Sequence, residues 1–231
     1  MVRVIAHRGA SAAAPENTIE AFRLARRLGA DWVELDARRT ADGQVIVHHD
    51  ATLEDGRTIC ELRRVELPGH VCDLTDALDA CEGMSINIEV KNWPDDPDFD
   101  PGESVARQVV ELVGRRGLRD RVLISCFHYP TIELVRELDP AIPTAFLHIV
   151  VDQTWDELAE RVAAAGHVAL HPWDHIVDQA LVDAAKAHGL EVNVWTVDDP
   201  ERMAQLVAFG VDGLCTNVPD VAREVVGPLP D

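Results

Sequence analysis

The sequence predicts an α/β protein whose eight parallel strands and intervening helices close into a (β/α)8 TIM barrel, distorted by one extra strand. Short β-branched runs alternate with helical patterns of about ten residues along the whole chain, as in repeated βαβ units. Glycines stand near the ends of five predicted helices, where a left-handed C-cap is favoured. The length of 231 residues is slightly below the ~250 typical of such barrels. We therefore expect residues 1–231 to form a single barrel domain without a large insertion.

The individual elements follow from two periodicities, one of about two residues for strands and one of 3.6 residues for helices. Strands are expected at 2–7, 32–38, 44–49, 85–91, 121–127, 144–150, 167–172, 191–197 and 213–217. Helices are expected at about 18–28, 75–82, 103–116, 131–138, 155–165, 179–188 and 200–209.

Nine strands are one more than the barrel needs, and the third run is the extra one. It follows the second run across Asp42-Gly43, a dipeptide typical of a two-residue type I′ hairpin, so that no helix fits between them. We therefore expect 44–49 to be an antiparallel strand added after the second barrel strand. In such a hairpin Asp36 faces His49 and Ala37 faces His48, which favours His49 as the histidine of a site.

Two polar segments between elements each have two interpretations. Asn17 with Glu20 fits a capping box at the start of the first helix. Alternatively, Asn17 contacts a substrate, because helix starts in barrels lie on the catalytic side. Glu16 braces Arg8 or the loop, or is a further substrate contact. The segment 93–102 is either a solvated acidic loop or a lid that contacts substrate.

The charge balance narrows the class of partner. The chain has 21 Lys and Arg against 41 Asp and Glu, for a formal net charge of −20. Nucleic acids and anionic membranes attract basic surfaces, so neither is an expected partner. The N-terminus resembles a strand rather than a signal peptide, and no apolar run approaches the ~18 residues of a membrane span. We expect a small-molecule substrate and no stable membrane insertion.

The cysteines point to a reducing compartment. Their number is odd and no C-x-x-C pair occurs, so the sequence predicts neither a disulfide framework nor a zinc site. Together with the N-terminus this favours a cytoplasmic location. The five are Cys60, Cys72, Cys81, Cys126 and Cys215.

Acidic residues at strand ends predict a divalent cation. Glu34 and Asp36 share one face of a strand and Glu89 lies on a neighbouring strand, near the C-terminal ends where barrel enzymes place catalytic groups. Each pair of like charges at ~4 Å costs ~4 kcal/mol at an effective dielectric near 20. Either the pKa values rise or a cation lies among the carboxylates. Oxygen ligands without Cys favour Mg²⁺ or Ca²⁺. The alternative is that each carboxylate is an isolated or ion-paired group.

Histidines and basic residues complete the candidate site. His7 and His49 suit an acid–base pair, because histidine titrates near neutrality. Arg8 and Lys91 suit contacts with phosphate oxygens, or neutralise the neighbouring carboxylates. Trp195 is an apolar wall of the site or simply fills the core. His128 and His171 also lie near strand ends and are weaker candidates.

With these motifs in place, the chain resembles the glycerophosphodiester phosphodiesterase family. The resemblance covers nearly the whole chain and depends on the combination of HRG, PENT, E-x-D, HD and E-x-K. The matching stretches are 6–22, 29–53, 86–91, 191–199 and 209–219. It implies a distorted TIM barrel similar to that of phosphatidylinositol-specific phospholipase C.

The resemblance also implies an activity and residue roles. It implies metal-dependent hydrolysis of glycerophosphodiesters to sn-glycerol 3-phosphate and an alcohol, with one Mg²⁺ or Ca²⁺ ion. His7 and His49 would be general acid and base, and Arg8 and Lys91 would contact phosphate. Glu34, Asp36 and Glu89 would bind the metal.

The chain departs from the family in two places, and rival functions remain open. The segment at about 51–75 is shortened, which favours a small soluble substrate, and Asn217 replaces the Asp of a common T-D-x-P. The alternatives are a lysophospholipase D or sphingomyelinase D-like activity, or a non-catalytic barrel that binds phosphodiesters.

Overall fold

Eight parallel strands form a closed barrel in the structure, a computed structural model that describes residues 2–228. The strands are β1 (Arg3–Ala6), β2 (Trp32–Arg39), β3 (Val45–Val47), β4 (Ser85–Val90), β5 (Val122–Cys126), β6 (Thr144–His148), β7 (Ala169–Pro172), β8 (Glu191–Val194) and β9 (Gly213–Thr216). The helices are α1 (Ile19–Arg27), α2 (Leu74–Ala80), α3 (Ser104–Arg116), α4 (Tyr129–Leu138), α5 (Trp155–Ala164), α6 (Gln179–Ala187), α7 (Pro200–Phe209) and α8 (Pro219–Val226).

The barrel closes because β1 pairs in parallel with both β2 and β9. Around the ring the order is β1, β2, β4, β5, β6, β7, β8 and β9, while β3 is bonded antiparallel to the outer part of β2. The predicted TIM barrel with one additional strand after the second barrel strand is therefore confirmed. Apolar residues between the strands and the surrounding helices make up the main core.

The predicted hairpin register is wrong by one residue. Ala37 pairs with Val47, so paired residue numbers sum to 84, and the connection has three residues instead of two. Thr40 explains the difference, because its hydroxyl donates to Asp42 Oδ1 at 2.6 Å and accepts from the Gln44 N–H at 3.0 Å. Gly43 then takes a left-handed φ of 77°, as in a type I turn followed by a bulge.

The predicted capping box at Asn17 is also wrong, because α1 begins one residue later. Thr18 is the N-cap, with an extended backbone and a side chain that accepts from the Ala21 N–H. Asn17 has a left-handed φ of 57°, which an N-cap does not use. Its side chain turns instead toward β2.

The last helix, α8, is absent from the predicted elements although it carries a usable signal. Pro219 occupies its first turn, a position that proline favours. Its apolar residues pack against the main core near β1. None of the helices within residues 2–228 has the length and apolar character needed to cross a membrane.

The segment 51–75 folds over the hairpin. It contains two short 3₁₀ turns, Ile59–Glu61 and Arg64–Glu66, and leads into α2. A small separate apolar cluster beneath it anchors the segment to β3. The members of this cluster are Ile46, Leu53, Ile59, Leu67 and Val71.

Candidate active site

Two adjacent cavities open at the C-terminal end of the barrel. The central cavity, of about 130 Å³, lies over the barrel interior, and the outer cavity, of about 280 Å³, lies beside it toward the segment after β4. His49, Glu89, Lys91 and Phe127 line both cavities. Most of the sequence-predicted site residues line the central cavity or contact residues that do.

Three carboxylates converge at the centre, as the sequence predicts. Parallel pairing of β2 with β4 places Asp36 opposite Glu89, and Glu34 lies two residues before Asp36 on the same face. All three are buried, and one oxygen from each lies within 4.8 Å of the others. Glu34 Oε1 has no hydrogen-bond partner in this structure. A buried carboxylate oxygen without a donor is what a cation would satisfy, so the residues fit a hard divalent ion.

Two basic side chains offset part of this negative charge. Lys91 Nζ lies 2.6 Å from Glu89 Oε1 and 3.3 Å from Asp36 Oδ1. Arg8 Nε lies 3.4 Å from Asp36 Oδ2. Both basic side chains contact Asp36. Glu34 accepts only one hydrogen bond, at 2.9 Å, and its donor is the backbone N–H of Arg8. The positive charges therefore concentrate on one side of the cluster.

This asymmetry separates the pKa values of the three acids. Burial raises the pKa of Glu34 well above its ordinary value, and the charges of Asp36 and Glu89 raise it further. Burial also raises the pKa of Glu89, although Lys91 works against it. At Asp36 burial is outweighed by Lys91 and Arg8, which hold its pKa well below the ordinary value. Of the three carboxylates, Glu34 would therefore be stabilised most in its ionised form by a bound cation.

His7 follows β1 and is oriented by Asn217, which stands where T-D-x-P sequences have Asp. His7 Nδ1 lies 2.8 Å from Asn217 Oδ1. Asn217 Nδ2 donates to Asp198 Oδ2 at 2.6 Å, so the amide oxygen is the atom that faces His7. The proton of neutral His7 therefore lies on Nδ1, and Nε2 is left free for chemistry. Burial, and then Arg8, lowers the pKa of His7.

His49 lines both cavities and His48 lines neither, although the hairpin register that favoured His49 in the sequence is not the observed one. In the observed register His48 follows directly after β3, and its N–H donates to the Asp36 carbonyl. The chain bends at His49, and this bend brings the ring to the cavity. His49 Nδ1 lies 2.7 Å from Asp50 Oδ1, which places its proton on Nδ1. Burial is the main cause that lowers the pKa of His49.

The loop after β1 is shaped by tight backbone geometry. Arg8 has a left-handed φ of 56°, and Gly9 follows with a φ of 84°. A Cβ atom on Gly9 would lie 2.7 Å from the backbone of Ala21, so only glycine fits here. Arg8 Nη1 also donates to Glu16 Oε1 at 2.9 Å, as one interpretation of Glu16 predicts.

Asn17 supports the acidic centre. Its Nδ2 donates to Asp36 Oδ2 at 2.8 Å, and it is buried beside that carboxylate. The left-handed backbone at Asn17 aims the side chain at β2, and asparagine tolerates this conformation better than most residues. Asn17 Oδ1 also accepts from the Asp36 N–H at 3.4 Å, so both ends of its amide contact a candidate metal ligand.

Aromatic rings line the mouth beside the carboxylates, on the segments that follow β4, β5 and β8. Phe127 makes edge-to-face contacts with Trp93 and Trp195, with ring centroids 5.6 and 5.5 Å apart. Trp195 is half-buried and lines the central cavity, and its indole N–H donates to the His171 carbonyl at 2.8 Å. Burial lowers the pKa of His171 to about 3, so its ring is neutral here. His128 contacts Thr131 and Glu103 instead of lining either cavity.

Fold and site together define a TIM-barrel enzyme with an acidic, histidine-bearing centre at the C-terminal end of its strands. The model of the glycerophosphoryl diester phosphodiesterase family matches residues 7–221. The chain belongs to this family, and the prediction of a phosphodiesterase is confirmed at that level.

Relatives and solved structures agree with this assignment. The chain is 31% identical to a glycerophosphodiester phosphodiesterase of Caldanaerobacter subterraneus, over 96% of this chain and 97% of the relative. A putative glycerophosphoryl diester phosphodiesterase of Silicibacter pomeroyi has a TM-score of 0.88 at 27% identity, covering 98% of this chain and 93% of that one. An Oleispira antarctica phosphodiesterase, in complex with the product sn-glycerol-3-phosphate, has a TM-score of 0.87 at 26% identity, covering 97% and 96%.

Proposed function

We propose that this enzyme hydrolyses glycerophosphodiesters to sn-glycerol 3-phosphate and an alcohol, with one divalent cation and an acid–base pair of histidines. The observation that carries the proposal is the convergence of three buried carboxylates, within 4.8 Å of one another, with His7 and His49 at one cavity. The Oleispira relative, whose structure contains sn-glycerol-3-phosphate, supports the glycerol phosphate part of the substrate.

Glu34, Asp36 and Glu89 would hold the cation, either Mg²⁺ or Ca²⁺. When bound, such an ion supplies positive charge and Lewis acidity beside the reacting phosphate. The unpartnered Oε1 of Glu34 and the repulsion among the three acids support this role.

Arg8 and Lys91 would bind the phosphate oxygens. Both side chains reach the central cavity, and each is already held by the carboxylate of Asp36. That ion pairing orients the two cations before substrate arrives, so the roles of neutralising the acids and binding phosphate coexist. Trp195 would form an apolar wall beside the substrate carbons.

The two histidines would move the protons. One accepts the proton of the glycerol 2-hydroxyl as its oxygen attacks phosphorus, and the bond from phosphorus to the leaving alcohol breaks. The other donates a proton to that alcohol. Water then opens the cyclic phosphate with the roles reversed. Because Asn217 and Asp50 engage Nδ1 of His7 and His49, Nε2 is the atom available on each ring.

Product analysis tests this function. With sn-glycero-3-phosphoethanolamine as substrate, we expect sn-glycerol 3-phosphate and ethanolamine rather than glycerol and phosphoethanolamine. His7→Ala and His49→Ala should each lower turnover by ~10²–10⁴-fold. His48→Ala is the matched control and should change turnover less than twofold. Near-normal rates in both alanine variants would refute the two-histidine assignment, and binding without turnover in the wild type would favour the non-catalytic barrel.

One observation favours a second candidate, a lysophospholipase D-like activity. The outer cavity is lined by Trp93, Phe127 and Ile149, and further exposed apolar residues, Val150, Val151 and Trp173, follow β6 and β7 at the same end of the barrel. Such a rim suits one acyl chain of a lysophospholipid. Cleavage of lysophosphatidylcholine at a rate comparable to that of glycerophosphocholine would support this activity, and a rate below one-hundredth of it would exclude it.

A further inference from the structure

Arg38 connects three parts of the molecule at the edge of the outer cavity. It lies at the end of β2 and is only 3% exposed. Its Nε donates to the His49 carbonyl at 2.7 Å, and its Nη1 donates to both carboxylate oxygens of Asp98 at 2.6 and 2.7 Å. Its Nη2 donates to Asp96 Oδ2 at 2.9 Å. One guanidinium therefore joins β2, the bend that carries His49 and the acidic segment 93–102.

The acidic segment needs this anchor. It contains no helix or strand, and it carries Trp93 and Asp96 into the outer cavity. Asp98 is buried, which excludes the interpretation of the whole segment as a solvated loop. A buried carboxylate is costly unless it is paired, and Arg38 supplies the pair. A second arginine, Arg39, lies 3.6 Å from Asp100 of the same segment.

His49 is a residue whose backbone needs support. It follows β3, outside the regular ladder, at a bend in the chain. Its side chain is tied to Asp50, which is itself exposed to solvent. The hydrogen bond from buried Arg38 to the His49 carbonyl therefore fixes the backbone of His49 from the protein interior. A planar guanidinium fixes its partners in direction as well as distance, which a lysine ammonium does not.

We propose that Arg38 is a positioning residue that acts through His49, with the Asp96 and Asp98 carboxylates holding the guanidinium in place. This inference rests on the proposed function of His49 in proton transfer. Arg38 makes its contact with the backbone of His49, so its effect is on where the ring lies. Misplacement of a reacting group by about 1 Å costs up to ~10²-fold in rate.

The first test compares two neighbouring arginines that anchor the same segment. Arg38→Lys keeps the charge but cannot reach all three partners, and we expect kcat to fall ~10–100-fold with KM changed less than threefold. Arg39→Lys changes only the ion pair with Asp100 and should keep kcat within twofold. A rise in KM at constant kcat would mean that Arg38 binds substrate directly, and equal losses in both variants would mean that it merely holds the segment. Either result overturns the proposal.

A double-mutant cycle with His49→Ala separates positioning from general damage. If Arg38 acts through His49, then Arg38→Lys should have less than a twofold effect in the His49→Ala background. If the kcat losses of Arg38→Lys and His49→Ala instead multiply in the double variant, the proposal is contradicted. If His49→Ala alone keeps normal turnover, the proposed function of His49 fails first, and this is a different outcome from a failed cycle.

Asp98→Asn provides a second variant if Arg38→Lys does not fold. It keeps the shape of the side chain and removes the charge that holds the guanidinium. We expect a kcat loss of ~3–10-fold that also disappears in the His49→Ala background. An unchanged kcat, or a loss that multiplies with that of His49→Ala, would overturn the proposal.

Discussion

The two halves of the barrel mouth differ in chemistry. The half formed by β9, β1, β2 and β4 carries His7, Arg8, the three carboxylates and Lys91, all at or near the strand ends. The half formed by β5 to β8 presents Phe127, Leu147, a neutral His171 and Trp195 to the same cavity. The first half suits a cation and a phosphate, and the second suits the carbon atoms of a substrate.

The difference shows how a strongly acidic protein can accommodate an anionic substrate. The net charge of −20 describes the whole chain, whereas the field in the cavity depends on groups within a few ångströms. Lys91 and Arg8 balance part of the acidic cluster, and a divalent ion would supply the remainder. The charges of the site are thus concentrated on one half of the mouth.

The largest effect should follow from neutralising one acid in the charged half. Glu34→Gln removes a proposed metal ligand and should lower turnover by about 10³-fold or more. The same change should raise the Tm of the metal-free protein by a few degrees, because the raised pKa means that the ionised carboxylate is unfavourable in the fold. Calorimetric metal titration and thermal melts in chelator measure the two effects.

The matched control is Glu16→Gln, at the charged but exposed partner of Arg8. It should keep both metal binding and Tm close to the wild type. Full metal affinity in Glu34→Gln would contradict the assignment of the acidic cluster.

A smaller effect should follow from releasing His7. Asn217→Leu removes the oxygen that fixes its Nδ1 proton, and we expect kcat to fall ~10–100-fold while KM stays within threefold. Asn217→Asp keeps an acceptor and, through its negative charge, should raise the pKa of His7, which moves the acidic limb of the pH–rate profile to higher pH. A profile that does not move would show that His7 is not the group reported by that limb.

The features of the fold and the site that depend on local sequence periodicity could be predicted from the sequence, and those that depend on individual side-chain contacts could not. Alternation of elements predicts the barrel, and period-2 spacing predicts that Glu34 and Asp36 share a face. The hairpin register could not be foreseen, because the Thr40 side chain decides the turn.

Tertiary contacts account for the other differences. The contacts of Asn217 and Arg38 join residues far apart in the chain and have no local pattern. For α8, in contrast, Pro219 was a signal in the sequence itself. His49 reaches the cavity as expected, but through a bend instead of the predicted pairing.

The neutral half should respond mainly in substrate binding. Phe127→Ala removes a ring that follows β5, lines both cavities and makes edge contacts with Trp93 and Trp195, so we expect a ~3–10-fold rise in KM with kcat changed less than twofold. Steady-state kinetics with a small and a bulky leaving alcohol measure this. A kcat loss as large as that of Asn217→Leu would mean that the halves do not divide the work in this way.

The smallest effect concerns stability against acid. Burial lowers the pKa of His171 to about 3 in the folded protein. Below pH ~6.5 His171 therefore binds a proton in the unfolded chain but stays neutral in the folded protein. Its contribution to stability should therefore fall, on the order of 2 kcal/mol, between pH 7 and pH 4.5. In His171→Asn, the free energy of unfolding measured by urea titration should fall less steeply with decreasing pH, by the slope that corresponds to about one proton. An unchanged slope would show that His171 is protonated in the folded state.

Release of sn-glycerol 3-phosphate before and after chelation tests the central claim most directly. We expect EDTA to abolish release from the wild type and excess Mg²⁺ or Ca²⁺ to restore it. In Glu34→Gln the same addition should restore less than one-hundredth of that rate. Undiminished release by fully chelated enzyme would contradict the claim that the charged half of the mouth works through a bound cation.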